Sequence, residues 1–292
     1  RGVGAPPFDG NGNGINLADI GAVEVGPTVW VSSSSVSALQ AAIDSAQLGG
    51  VIRFSNVNVI ANAALTFPTQ TMVLIQAAAA PLTFEDLSIH LTHGVHQSVA
   101  LHGIDLVMGP DGALYASGRA SLSIERADIR KLGVGPDFVQ TSIFHSDSGR
   151  LSINQVDMRD GSTSRALWLA SRAQAWMRDS MIRENELSSY LMISQGRSEL
   201  YLQRSSFIGN RGFLMEGASL INGYYVVENT TLSGNVGLGG SATNRYVLDF
   251  RPNPQGSGMF MRNNTVAYNL NRRGVRLDIF APSRTVFANN LV

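Results

Sequence analysis

The chain repeats one hydrophobic motif: two apolar residues separated by one position, two intervening residues, then a small or apolar pair again separated by one. Val99, Leu101, Ile104 and Leu106 fit it, as do Leu122, Ile124, Ala127 and Ile129, and Leu151, Ile153, Val156 and Met158. The motif recurs from Ala175 to Ile182, Leu200 to Phe207, Tyr225 to Leu232, Met259 to Val266 and Thr285 to Val292. Ile52, Phe54, Val57 and Val59 form the earliest copy, and Ile75 marks a weaker one. The second apolar position falls at 54, 75, 101, 124, 153, 177, 202, 227, 261 and 287. Alternation on both sides of a one-residue shift predicts a strand with a bend. A step of about 25 residues is too short for a helix-pair repeat and suits one turn of a parallel β-solenoid of about ten coils.

Each coil carries a second apolar stretch, such as Leu167-Trp168-Leu169 or Tyr190 to Ile193. Eight residues past the marker stand Asn185, Asn210, Asn235 and Asn269. Asparagine tolerates left-handed turns, and stacked side-chain amides can hydrogen-bond from coil to coil. Residues 37–46 are the one helical pattern, with Leu39, Ala42, Ile43 and Ala46 as its apolar stripe and serines as N-caps before it. An amphipathic helix of this kind covers the open end of a solenoid.

Composition narrows the function classes. The 292 residues hold 22 Lys+Arg and 22 Asp+Glu, so a formal net charge of zero argues against a nucleic-acid binder held by bulk positive charge. No apolar run is long enough for a membrane-spanning helix. With no cysteine, disulfides, thiolate metal sites and cysteine nucleophiles are excluded. Thirty glycines and ten prolines, with many Asn and Ser, fit a turn-rich β protein. Lys131 is the only lysine.

The run from Ala38 to Asp44, followed by Gly49-Gly50-Val51-Ile52-Arg53-Phe54, resembles the N-terminal cap and first strand of right-handed parallel β-helix proteins of the pectin-lyase-like superfamily. The resemblance covers residues 36–292 and implies an all-β, right-handed, single-stranded parallel β-helix with an N-terminal capping helix. The segment from Arg1 through Asp9-Gly10-Asn11-Gly12-Asn13-Gly14 to Glu24 resembles the closing motif of bacterial choice-of-anchor surface β-helix proteins, which in that family follows the last coil. Residues 1–35 are therefore expected to be a closing-motif or linker segment contacting a neighbouring unit. Arg1 opens no signal segment, and Val292 falls on a strand's last apolar position without a cap. Both fit one unit of an end-to-end series, self-associating or in tandem.

Several residue sets could carry chemistry. Asp9, Asn11 and Asn13, with Asp19 or Glu24 standing in for an EF-hand's final carboxylate, form a weakly charged candidate calcium loop. No other cofactor is expected. Four residues past the marker lie Asp105, Asp128 and Asp157, and six past it Arg130, Arg159 and Arg183. Successive coils stack about 4.8 Å apart, so these form acidic and basic columns. Such columns either bind or cleave an acidic polysaccharide or make an ion-pair ladder, and the ladder is favoured. Glu216, Asp249 and Asp278 follow similar strand starts and are expected to form a second acidic column, with carboxylate spacings suited to glycoside hydrolysis. His90, His93, His96 and His102 have no carboxylate placed obviously beside them. The paired aspartates, Gly-His-Gly and Arg-x-Lys of polygalacturonase-like hydrolases are absent. The sequence therefore favours an extracellular structural or adhesive β-helix of a bacterial surface or filament, with a polysaccharide lyase or glycoside hydrolase as the alternative.

Overall fold

The computed structural model describes residues 28–46, 48–68, 71–77, 81–92, 97–133, 142–212, 216–221, 223–237, 246–251, 258–270, 273–277 and 284–292. It is a parallel β-solenoid with three faces. On face 1, Ile52, Ile75, Leu101, Ile124, Ile153, Met177, Leu202, Val227, Met261 and Phe287 stand in register as one file, each in the rung next to its neighbour. From Ile52 to Met261 every member is buried. Face 2 carries the file from Ile60 through Phe84, Leu106, Ile129, Met158, Ile182, Phe207 and Leu232 to Val266. Face 3 carries Leu65, Ile89, Leu114, Phe144, Leu167 and Met192. These files meet in one continuous core, and each fully buried aliphatic side chain in it contributes roughly 1.5–3 kcal/mol. The predicted bent strand is seen directly in Ser121–Lys131 and Arg150–Arg159, which run unbroken from face 1 into face 2.

The first coil differs from the expected register. Ile52 rather than Phe54 pairs with Ile75, and Ile60 rather than Val59 pairs with Phe84. Ile52 and Phe54 both point inward, so alternation alone could not choose between them. Val59 lies on the outside, 41% exposed. The register shifts between Leu48 and Gly50, where Gly49 takes φ 92°, a conformation glycine adopts without strain. The number of complete turns is also slightly below the ten expected.

The turns have a regular construction. Residues with positive φ recur at the bend between faces 1 and 2 (Arg126, Gln155, Asp179, Arg204, Asn229, Asn263) and again between faces 2 and 3 (Asp160, Glu184, Tyr268). At this second bend the left-handed residue precedes the ladder asparagine. Asn185, Asn210, Asn235 and Asn269 instead turn their amides inward and bond to one another. A second inward ladder follows the first bend: Val156 N–H donates to Ser180 Oγ, Ser180 N–H to Ser205 Oγ, and Thr230 N–H to Asn264 Oδ1.

Helix α1 (Val36–Ser45) starts at an N-cap, Ser35, whose hydroxyl accepts from Ala38 N–H at 3.1 Å, and it buries Leu39, Ala42 and Ile43. Gln40 ties the helix to the first coil by donating to Thr66 O and accepting from Thr66 N–H. Strand β1 (Thr28–Val31) pairs with Val51–Phe54 on face 1, so a strand and a helix together cover the first rung. Among the described residues no helix is long and apolar enough to cross a membrane.

Lys131 sits fully buried at the end of face 2, donating to Gly109 O at 3.4 Å, to Pro110 O at 3.0 Å and to Gly112 O. An ammonium has three protons, and three carbonyls of one loop receive them. Burial lowers its pKa to about 8, opposed by Asp111. This accounts for a lysine here in a chain otherwise committed to arginine.

Candidate functional site

Face 1 presents outward positions between and beside its inward file, and they carry chemistry that the sequence reading overlooked. One outer column follows the marker by one residue: His102, Glu125, Asn154, Arg178, Gln203, Glu228 and Arg262. Arg178 Nε donates to Gln203 Oε1 at 2.9 Å, and Gln203 Nε2 donates to Glu228 Oε2 at 3.1 Å. Arg262 closes the chain on Glu228, with Nε 2.8 Å from Oε1. Burial alone would raise the Glu228 pKa, but hydrogen bonds from Arg262 and Gln203, with the Arg262 charge, leave it lowered.

The column on the opposite edge of face 1 repeats the device. Arg150 Nε donates to Gln174 Oε1 at 3.0 Å, and Gln174 Nε2 to Glu199 Oε2 at 3.1 Å. Tyr201 Oη completes it by reaching Glu199 Oε2 at 3.4 Å. Each edge therefore carries an Arg-to-Gln-to-Glu relay over three rungs.

A run of rings crosses between the middle column, which holds Trp176, Tyr201 and Phe260, and the edge column, where Tyr224 follows Glu199. Trp176 stacks on Tyr201 with centroids 5.6 Å apart and planes 5° apart. Tyr201 to Tyr224 and Tyr224 to Phe260 follow, each at 5.9 Å. Trp176 is buried, whereas Tyr201, Tyr224 and Phe260 are half-buried and form the accessible part of the track. Burial and the neighbouring carboxylates raise the phenol pKa values of Tyr201 and Tyr224, so both hydroxyls keep their protons.

At the other end of the same column, Glu125 is buried on the outer side of face 1. Its Oε2 lies 3.5 Å from His102 Nδ1, and its Oε1 accepts from Asn154 Nδ2 at 3.1 Å. His102 does have a carboxylate beside it, contrary to the sequence reading. The two are 23 residues apart in the chain but adjacent in the solenoid.

The first acidic column is present as expected: Asp128 pairs with Asp157, and Asp105 Oδ1 accepts from Asp128 N–H at 3.0 Å. The carboxylates of Asp128 and Asp157 are engaged by the basic column. Arg159 Nη2 reaches Asp128 Oδ2 at 2.8 Å, and Arg183 grips Asp157 with two nitrogens at 3.1 and 2.8 Å. Arg130 turns to Asp160 O. Each of these arginines after the first reaches back one rung to an aspartate, which is ion-pair ladder geometry.

The second acidic column is not formed. Glu216 pairs with Tyr190, whereas Asp249 pairs with Ser219 and Arg276. Glu216 and Asp249 are out of register by three positions, because Ser219 rather than Glu216 stands opposite Asp249. Asp278 lies outside the described residues, as do His93, His96 and the whole calcium candidate of Asp9, Asn11 and Asn13 with Asp19 or Glu24. Among the described residues no group of three or more His, Asp or Glu is placed to hold a metal.

Face 3 has an outer ring file of its own, of which the sequence reading named His90 as a histidine with no obvious carboxylate beside it and Trp168 as part of an apolar stretch. His90, Tyr115, His145 and Trp168 occupy successive rungs, with His145 stacked on Trp168 at 4.7 Å and 8°. The Arg165 guanidinium lies 4.0 Å over the Trp168 ring. Both His145 and Trp168 are buried. Burial pushes the His145 pKa down to about 4, with Asp147 opposing and Arg165 and His90 assisting, so this imidazole is neutral at neutral pH. His145 and Trp168 are packed, while Tyr115 is half-buried and His90 exposed.

No family model matches the chain, and no curated protein matches it in sequence. Among solved structures it is similar to the PL6 family alginate lyase AlyGC, at 12% identity and a TM-score of 0.56. The match covers 91% of this chain and 40% of that one, so the chain spans well under half of the lyase. Identity this low speaks for fold alone. The stacked register, the three faces and this likeness together establish a right-handed parallel β-helix of the pectin-lyase-like fold.

Proposed function

We propose that the protein is a polysaccharide-binding β-helix of structural or adhesive role, working outside the cell and holding its glycan along the outer side of face 1. The observation that carries this reading is the half-buried run of Tyr201, Tyr224 and Phe260 beside two polar relays, with Tyr224 continuing one relay's column past Glu199. Aromatic faces offer apolar area to the C–H faces of sugar rings, while flanking side chains offer donors and acceptors to their hydroxyls. The rung repeat of about 4.8 Å is close to the length of one extended pyranose unit, so a glycan lying across the rungs meets the same kind of contact at each step. The similarity to a polysaccharide lyase supports the same ligand class. A binding role without cleavage is supported by the Asp–Arg ladder, whose carboxylates are already occupied.

His102 and Glu125 favour a second reading. A carboxylate that orients an imidazole is the pairing used for general-base chemistry, and this pair lies on the same face as the track. Affinity electrophoresis over a polysaccharide panel, run beside assays for reducing ends and for the ultraviolet absorbance of unsaturated products, separates the two. Retardation without product is expected. Product formation abolished by Glu125→Gln overturns the binding-only reading in favour of an enzyme.

A further inference from the structure

We infer that the glycan held on face 1 is a neutral polymer rather than a uronate polymer; this rests on the proposed function and specifies its ligand class. On the rungs that carry the rings, the edge columns hold two arginines, Arg178 and Arg262, and two glutamates, Glu199 and Glu228. Their charges cancel. The arginines are also engaged locally. Arg178 and Arg150 each donate through Nε to a glutamine that passes a hydrogen bond to a glutamate, and Arg262 is ion-paired with Glu228. Arg204, exposed beside this edge, donates to both carboxylate oxygens of Asp179 at 2.6 and 2.7 Å. A uronate polymer brings one carboxylate per sugar, and each would need an uncommitted cation. Here it would meet carboxylates as often as guanidinium groups, and like charges brought together cost binding energy.

A neutral sugar makes the opposite demand. Each of its hydroxyls both donates and accepts, and each relay runs from a donor (Arg) through a donor-acceptor (Gln) to an acceptor (Glu) over three rungs. The apolar half of the contact is supplied by Tyr201, Tyr224 and Phe260. The site is thus matched to a polyhydroxylated, uncharged chain laid parallel to the solenoid axis.

The test is isothermal titration of the intact protein with soluble glucomannan and xylan, and with alginate and polygalacturonate, at low and high sodium chloride. Binding of at least one neutral polymer with an affinity that salt leaves unchanged is expected, since no net charge is neutralised. Tyr201→Ala and Tyr224→Ala should each weaken it about tenfold, a loss on the scale of one stacking contact, with unfolding midpoints measured alongside to confirm that each variant is folded. The double variant Glu199→Gln, Glu228→Gln makes the strip net positive and should acquire salt-sensitive alginate binding that the parent lacks. Tight, salt-sensitive binding of alginate or polygalacturonate by the parent, with none of the neutral polymers bound, overturns the inference while leaving the glycan-binding function standing. Failure of all four polymers to bind overturns both.

Discussion

Asn185 gives both its backbone N–H and its side-chain Nδ2 to a single atom, Oδ1 of Asn210, at 3.1 and 3.0 Å. Asn210 repeats the gesture toward Asn235, and Asn235 toward Asn269. Asn210 also donates to Ile182 O at 2.9 Å. Inside a buried turn each of these groups needs its partner. Asn210→Ala should therefore cost about 2–4 kcal/mol, because it strands the Asn185 backbone N–H and Ile182 O, while Asn185 Nδ2 keeps Met158 O and Arg183 O. Chemical denaturation at neutral pH measures it, and a loss under 0.5 kcal/mol would contradict the ladder.

Lys131 makes a comparable prediction at one position. Lys131→Met keeps the length and apolar stem but removes the donor to Pro110 O and Gly112 O, leaving Gly109 O with the Gly112 N–H alone. A destabilisation of about 2–4 kcal/mol is expected. Lys131→Arg should not restore it, because a planar guanidinium directs its protons differently from a tetrahedral ammonium.

His145 should make the fold acid-sensitive. Its folded pKa, lowered to about 4 chiefly by burial, lies below the ordinary value of 6.5. The unfolded chain thus takes up the proton first, and the stabilising contribution, complete above pH 6.5, is lost as pH falls toward 4. The gap corresponds to about 3 kcal/mol over that window. Unfolding free energy measured from pH 7 to 4 should fall, and His145→Gln should flatten that part of the curve.

The apolar repeat was legible because burial on one side of a strand leaves a period of two in the sequence, and the bend leaves a one-residue shift. Six of the predicted file members, Leu101, Ile124, Ile153, Met177, Leu202 and Val227, stand in one buried row. The first coil misled because Ile52 and Phe54 satisfy the same pattern and a glycine bulge hides the offset. The outer columns were harder. Outward positions carry no apolar signal, so Arg178, Gln203 and Glu228 become a relay only when residues are counted from the marker. The +1 offset was not counted, and His102 therefore lost sight of Glu125. Glu216 and Asp249 failed for the converse reason: similar strand starts were treated as register across a coil of unusual length.

That register is itself testable in the first coil. Ile60→Ala should cost about 2–4 kcal/mol, as for any buried aliphatic truncated to alanine. Val59→Thr, on the outside, should stay within about 0.5 kcal/mol. The reverse order would restore the register expected from the sequence.

The most direct test of face 1 as the functional surface is a crystal structure of the protein with an oligosaccharide from whichever polymer binds. Sugar density lying across Tyr201, Tyr224 and Phe260, parallel to the solenoid axis, is the predicted result. Density on the Asp128–Asp157 ladder of face 2, with the aromatic track empty, would contradict it.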